Sequence, residues 1–387
     1  MFKIQTLNKI AKCGLDNFDA KYDVSDTAEN PDGIILRSFK MHDMKVGDNL
    51  KAVARAGAGT NNIPVDEYSK KGIVVFNTPG ANANAVKELT VTGLFISSRK
   101  ITDAIEWAKT LKGNGEDVPA MVEKGKSSFA GPEVMGKTLG VIGLGAIGVL
   151  VANAAEALGM KVIGYDPYLS VDAAWAINKN IKKSNDINQI FAVSDYISLH
   201  LPLNNETKGM VNAALLENAN EGIRILNFAR GELVDTEAVK NALESGKVAC
   251  YVTDFPNDEV IGVKNVIAIP HLGASTPESE DNCATMAGAQ LVDYLENGNI
   301  TNSVNFPSCS MQRSGVLRIT IAHLNKQAML SRISGFISER GINIENMINK
   351  SKKDYAYTII DTDGDINPAD IEALAAIEGV LRVRVIK

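Results

Sequence analysis

Gly143-Leu144-Gly145-Ala146-Ile147-Gly148 limits the possible folds of this chain more than any other stretch, because of what flanks it. Thr138 to Ile142 is a short apolar run that predicts a buried strand. Ile147, Leu150, Val151, Ala154, Ala155 and Leu158 then recur with the spacing of one helical face. Gly159 is placed to end that helix, and Lys161 to Tyr165 predicts a second strand. Asp166 follows roughly 20 residues after the last glycine, where an acid can grip a ribose. Strand, glycine turn, helix, strand and acid make a dinucleotide-binding βαβ unit. The glycines allow a tight turn and close backbone approach to a pyrophosphate, whose charge sits at the helix N-terminus. A carboxylate at 166 accepts from ribose hydroxyls and repels a 2′-phosphate. Pro167-Tyr168-Leu169 brings no cation to hold such a phosphate, so the expected cofactor is NAD rather than NADP.

With 387 residues the chain predicts roughly two or three domains. Its net charge of −6 excludes a global basic field for nucleic acid, so an anionic substrate must meet a local cluster of Arg or Lys. The four cysteines are scattered, without a C-x-x-C pair, which fits thiols in a reducing compartment. No metal site is expected. The first residues are too polar to begin a signal peptide and no run has the length of a membrane span, so a cytoplasmic protein is expected.

Up to about residue 95, short apolar runs (Gly33 to Leu36, Ala52 to Ala54, Ile73 to Phe76) alternate with helical stretches such as Val65 to Lys71. This predicts α/β structure around a parallel sheet. Val86 to Leu111 predicts one long helix. Lys112 to Glu133, rich in Gly, Lys, Ser and Pro, predicts a mobile loop or lid. The dinucleotide unit continues into strands at Asp195 to Leu199, Arg224 to Asn227 and Val266 to Ile269, which fit a doubly wound sheet. A helix over Glu278 to Leu295 is long enough to return to the first domain. Thr301 to Gly315 reads as a linker. Beyond it, Val316 to Lys387 has the order βαββαβ of a ferredoxin-like sandwich. The expected division is a discontinuous substrate domain over 1–95 and 271–305, a nucleotide domain over 96–270 and a C-terminal domain over 316–387.

Three polar groups stand at predicted strand ends of the nucleotide domain, where open α/β sheets bind ligands. The first is Asn227-Phe228-Ala229-Arg230-Gly231, whose Arg can grip a carboxylate bidentately. The second is the acidic loop Asp254-Phe-Pro-Asn-Asp258-Glu259. The third is Pro270-His271-Leu-Gly273-Ala274. Among four histidines, His271 is the best acid/base candidate, since it follows a strand and a Pro. Moving hydride between a 2-hydroxy acid and NAD needs an oriented carboxylate, a proton acceptor and exclusion of water. Arg230, Glu259 and His271 can fill the polar roles.

On these residues the chain resembles the D-2-hydroxyacid dehydrogenases, most closely their short, phosphoglycerate-oxidising branch with a C-terminal ACT domain. Further signatures are Ala54 to Asn62, Gly72 to Pro79, Ala85 to Leu89 and His200-Leu-Pro202. The resemblance implies a Rossmann nucleotide domain inserted in a flavodoxin-like substrate domain. It implies oxidation of D-3-phosphoglycerate to 3-phosphohydroxypyruvate, opening serine biosynthesis. Residue by residue, it assigns the substrate carboxylate to Arg230, proton transfer to His271 and support of that histidine to Glu259. Aligning Phe255-Pro256 differently selects Asp258 instead. NAD contacts fall on Gly143, Gly145, Ala146, Ile147, Gly148, Asp166, Pro202, Phe228, Ala229, Asp254, Gly273 and Ala274. Substrate contacts fall on Arg55, Gly57, Asn77, Arg37 and Lys126. His323, Asn325 and Asn343 match positions by which related ACT domains bind L-serine between subunits. Ala328 stands where many of those domains carry Gly, which argues against tight serine binding. A homodimer or homotetramer without nucleic-acid or membrane partners is expected. Two other readings stay open, namely a dehydrogenase for glycerate or lactate and a non-enzymatic NAD(H)-sensing protein.

Overall fold

Short strands, aliphatic and buried toward the middle of the sheet, build the first sheet. Its strands are β1 (Phe2–Leu7), β2 (Tyr22–Ser25), β3 (Gly33–Leu36), β4 (Ala52–Arg55) and β5 (Val74–Phe76). All pair in parallel in the order β2-β1-β3-β4-β5, the flavodoxin-like arrangement. Every residue of β3 and β5 is buried, as a sheet covered on both faces requires. The helix Pro277–Asn297 covers one face with Cys283, Ala284, Ala287, Leu291, Tyr294 and Leu295, which share a core with Ile4, Ile35, Ala54 and Val74.

The computed structural model describes all residues from Met1 to Lys387, in two compact units. The first joins Met1–Ala81 to Pro277–Lys387, and the second is Asn82–Thr276.

The second unit holds seven parallel strands: β6 (Thr138–Ile142), β7 (Lys161–Tyr165), β8 (Lys182–Lys183), β9 (Tyr196–Leu199), β10 (Ile223–Asn227), β11 (Val248–Thr253) and β12 (Val266–Ala268). Their order is β12-β11-β10-β9-β6-β7-β8, a doubly wound sheet that reverses direction between β6 and β9. Helix Ala146–Ala157 packs on it through Val149, Val151, Ala152 and Ala155.

Two expectations for this unit are corrected. The long helix over 86–111 is two helices, Ala83–Arg99 and Ile101–Thr110, broken at Lys100, whose φ is +46°. Neither Gly nor Pro marks that break in the sequence. The expected loop over 112–133 is largely helical, with Val118–Gly125 as its main element. Pro119 opens that helix in its first turn. Trp107 packs on Phe129 at 5.2 Å, and a Cβ on Gly125 would lie 2.3 Å from the Trp107 ring. Packing on an aromatic ring thus orders a stretch whose composition reads as loop.

The C-terminal part of the first unit carries β13 (Leu317–Leu324), β14 (Ile344–Lys352), β15 (Tyr355–Thr362) and β16 (Val380–Ile386). They form an antiparallel sheet, β14-β15-β13-β16, with helices Met329–Ser338 and Pro368–Ala375. The ferredoxin-like βαββαβ reading is observed. Leu317, Ile319 and Ile321 pack with the helical Ile333, Ile337 and Leu374, while Ala322, Tyr357 and Ile359 join the core that contains Ile4 and Tyr294. The stretch 301–315 is irregular, as expected of a linker, but it is pinned. Buried Asn305 bonds Val75 N, Ile73 O and Ser69 Oγ, and Phe306 is fully buried.

Candidate active site

At the reversal between β6 and β9, Gly143 takes φ +94°, and a Cβ there would lie 2.6 Å from the carbonyl oxygen of His200. A Cβ on Gly148 would lie 1.9 Å from Gly143 O, so the third glycine lets the helix start against the loop. A Cβ on Gly145 would meet nothing within 4 Å, which leaves that side of the turn open. No side chain caps the helix that begins at Ala146, so its first N–H groups are free for an anion. The Asp166 carboxylate accepts from Leu144 N at 2.9 Å and from Tyr168 N at 2.8 Å, and keeps lone pairs for further donors. His200 lies under this loop with Nε2 against Ser198 Oγ at 2.8 Å, and burial pushes its imidazole down to about 3, so it is neutral.

The candidate reacting groups stand at the ends of β10, β11 and β12. Arg230 follows β10 and is held by Asn227, whose Nδ2 donates to Arg230 O at 2.8 Å. Its guanidinium lies 6.0 Å from the Phe255 ring centroid, and the His271 ring lies 4.7 Å from the same centroid. Phe255 therefore neighbours both candidate catalytic residues. Sequence reasoning did not assign it a role, and its only signal is its place next to Asp254. Asp254 is fully buried. Its Oδ2 accepts from Gly273 N at 3.1 Å, while its Oδ1 is buried with no partner. Burial raises its pKa, and the charges of His271 and Arg230 with the Gly273 N–H offset part of that rise. A cavity of about 510 Å³ opens here, lined by Gly231, Asp254, Phe255, Asn257 and His271. Pro202 is exposed after β9, and Phe228, Ala229, Gly273 and Ala274 lie in the strand-end loops.

Glu259 and Asp258 lie on the exposed loop after Phe255, and neither is hydrogen-bonded to His271. Glu259 N donates to Asn257 Oδ1, and the Glu259 charge is felt by Lys240. The carboxylate that the structure brings to His271 electrostatically is Asp254. Lys126 pairs with Glu123 on the second unit's surface.

The other substrate candidates lie in the first unit. Arg55 ends β4, donates through Nε to Arg37 O at 3.0 Å and through Nη1 to Gly59 O. Gly57 has φ +152°, and a Cβ on it would lie 3.1 Å from Arg55 Nη1, so this glycine makes room for the guanidinium. Asn77 Nδ2 donates to Ala58 O at 2.6 Å and closes the same glycine-rich turn. Arg37 is engaged by Glu280 at 2.7 Å.

In the C-terminal sheet His323 is buried with both nitrogens occupied, Nδ1 by Leu324 O and Nε2 by Thr358 Oγ1 and Asn349 Oδ1. Asn325 Nδ2 donates to Lys353 O. Asn343 is exposed, and its backbone N–H donates to Asp363. Ala328 has φ +62°, the left-handed conformation that favours glycine.

Residues 93–273 match the D-isomer specific 2-hydroxyacid dehydrogenase, NAD binding domain family. The chain is 34% identical over 313 residues to a D-3-phosphoglycerate dehydrogenase of Synechocystis, covering 79% of this chain and 54% of the relative. It is 30% identical over 368 residues to the D-3-phosphoglycerate dehydrogenase of Escherichia coli K12, covering 92% of this chain and 86% of the relative. It thus spans about half the length of the Synechocystis relative and most of the other. The NAD⁺-bound 3-phosphoglycerate dehydrogenase of Entamoeba histolytica superposes with a TM-score of 0.61 at 29% identity, over 79% of this chain and 98% of that one. The bare glycine loop, the uncapped helix and the orphan Asp254 oxygen all fit NAD. With this geometry and these relatives, the chain belongs to the D-isomer specific 2-hydroxyacid dehydrogenases, and its second unit carries their NAD-binding domain.

Proposed function

We propose that the protein oxidises D-3-phosphoglycerate to 3-phosphohydroxypyruvate with NAD. The observation that carries this reading is the cluster of Arg230, Asp254, Phe255 and His271 on the strand ends of the nucleotide sheet. The similarity to D-3-phosphoglycerate dehydrogenases supports the choice of substrate. NAD supplies a hydride acceptor when bound. Arg230 takes the substrate carboxylate in its guanidinium fork and holds the 2-hydroxyl toward His271. His271 accepts the hydroxyl proton as the alcohol becomes a ketone, and returns one in the reverse reaction. Asp254 Oδ1, buried without a donor, is free to accept from the carboxamide of the cofactor. Asp166 holds the adenosine ribose. Glu259 supports the charged form of His271 once the loop takes its working position. Arg55 recognises the substrate phosphate, with Gly57 and Asn77 holding its loop. We place the protein in the cytoplasm as a homodimer or homotetramer, with serine inhibition weak or absent because of Ala328. No helix is long and apolar enough to cross a membrane.

The test is NADH formation from D-3-phosphoglycerate, D-glycerate and D-lactate. The phosphorylated acid is expected to give the highest kcat/KM, and His271→Ala is expected to lose most activity while still binding NADH. No turnover with any of the three points to the NAD(H)-sensing alternative. In the reduction direction, Glu259→Gln is expected to move the falling limb of kcat/KM to lower pH, since removing a nearby negative charge lowers a histidine pKa. A shift seen in Asp258→Asn instead reassigns the role to Asp258. One observation favours an unphosphorylated acid: Arg37, a supporting basic residue, is already held by Glu280.

A further inference from the structure

We propose that the first unit binds a small oxyanion of the phosphate or phosphomonoester class in a second cavity, one that Arg55 does not line. The cavity measures about 530 Å³ and lies between β16, the C-terminal end of helix Pro277–Asn297 and the start of β1. That volume is in the range of small-molecule sites. Lys21, Lys51, Arg313, Arg384 and Lys387 line it against one carboxylate, Glu296. In a chain of net charge −6, this concentration of cations runs against the overall balance.

The lysines already have carboxylate partners. Lys21 lies 3.8 Å from Asp19 and 3.5 Å from Glu296, Lys51 pairs with Asp32, and Lys387 lies 3.4 Å from Asp365. The two arginines have none. Arg313 Nη2 donates to Ile386 O at 3.1 Å. Arg384 donates to the carbonyls of Tyr294 and Leu295 at 2.9 and 2.8 Å, and only 8% of it is exposed. Carbonyls satisfy N–H groups but do not neutralise a charge. The carbonyl end of the helix offers about half a unit of negative charge, and the Tyr294 face, 4.4 Å from the guanidinium, adds a weak attraction. Buried charges are ordinarily paired. In the same unit Arg318 is paired with Asp361. Arg384 is thus a buried guanidinium without a counter-ion, and exposed Arg313 adds a second planar fork of the kind that grips phosphate oxygens, at a cavity of this size.

The test is thermal unfolding of the full chain with inorganic phosphate, at ionic strength held constant with chloride. At ten times the dissociation constant, phosphate is expected to raise Tm by roughly 2–4 °C. Arg55→Ala is expected to keep the whole shift, which separates this site from the proposed substrate-phosphate residue. Arg384 fastens a helix end, so the site is probed at the exposed Arg313 and Lys21 instead. Arg313→Gln and Lys21→Gln are each expected to raise the half-saturating phosphate concentration at least about fivefold, as loss of a charged hydrogen bond requires. No shift in the wild type, a shift lost in Arg55→Ala, or an unchanged half-saturation in both Gln variants overturns the proposal.

Discussion

Arg55 shows how the local backbone positions one side chain. A glycine two residues on leaves room for the guanidinium, and carbonyls of Arg37 and Gly59 orient it. Arg55→Ala is expected to raise KM for D-3-phosphoglycerate by about ten- to a hundredfold, the worth of a charged hydrogen bond. D-glycerate is expected to be almost unaffected in the same steady-state assay, and an equal rise for both acids removes Arg55 from phosphate recognition. Asp254 is the opposite case, a carboxylate held where burial disfavours its charge. Burial raises its folded-state pKa, so its contribution to stability is fully present below the ordinary carboxylate pKa. That contribution is lost as pH rises through the higher folded value. Asp254→Asn keeps an acceptor for Gly273 N and removes this cost. Its Tm is expected to exceed that of the wild type at pH 7, with the difference shrinking toward pH 4, while NADH binding weakens on the order of tenfold. A lower Tm at pH 7 shows that the charge of Asp254 stabilises the fold.

Helix Met329–Ser338 begins at Ala328, in a left-handed conformation. The methyl group costs about 1–2 kcal/mol there, so Ala328→Gly is expected to stabilise the protein by about 1 kcal/mol in urea unfolding. An unchanged midpoint means that the strain is relieved elsewhere. The neighbouring sheet depends on a buried ion pair. Arg318 and Asp361 are both fully buried, and Arg318 also donates to the carbonyls of Asn297, Met311 and Gln312. It therefore ties β13 and β15 to the end of the long helix and to the 301–315 crossing. Asp361→Asn leaves that guanidinium buried without a counter-ion and is expected to cost about 3–5 kcal/mol. Burial pushes the Asp361 pKa up, but the Arg318 fork and Ser314 N–H outweigh it and hold it below the ordinary carboxylate value. Its contribution to stability is therefore present above the ordinary carboxylate pKa and lost as pH falls through the folded value. Acid unfolding of Asp361→Asn is expected to have a shallower pH dependence than that of the wild type, and equal slopes exclude the pair as an acid trigger.

At the scale of the molecule, the C-terminal sheet is part of the first unit's core and not an appendage. Ala322, Tyr357 and Ile359 share that core with Ile4, Ala54 and Tyr294, and Arg382 donates to the carbonyls of Leu50 and Asp48. A chain ending before Thr301 is expected to lose cooperative unfolding of the first unit while the second still binds NADH, as calorimetry and NADH fluorescence can show. Retention of both transitions indicates that the sheet is dispensable. Much of this architecture is legible in the residues. The glycine spacing, the apolar runs and the βαββαβ order are local patterns, and backbone sterics and burial periodicity act over a few residues at a time. They suffice for both parallel sheets, for the C-terminal fold and for Arg230, Asp254 and His271 as neighbours of strand ends. The break at Lys100, the helix within 112–133 and the buried crossing over 301–315 carry no such pattern. Each depends on a partner distant in sequence, or on a backbone conformation that neither Gly nor Pro announces. The same holds for the place of Phe255 beside both Arg230 and His271, the orphan oxygen of Asp254 and the unpaired charge of Arg384. Burial and charge pairing are properties of an assembled interior, so they exist only once the chain has folded back on itself.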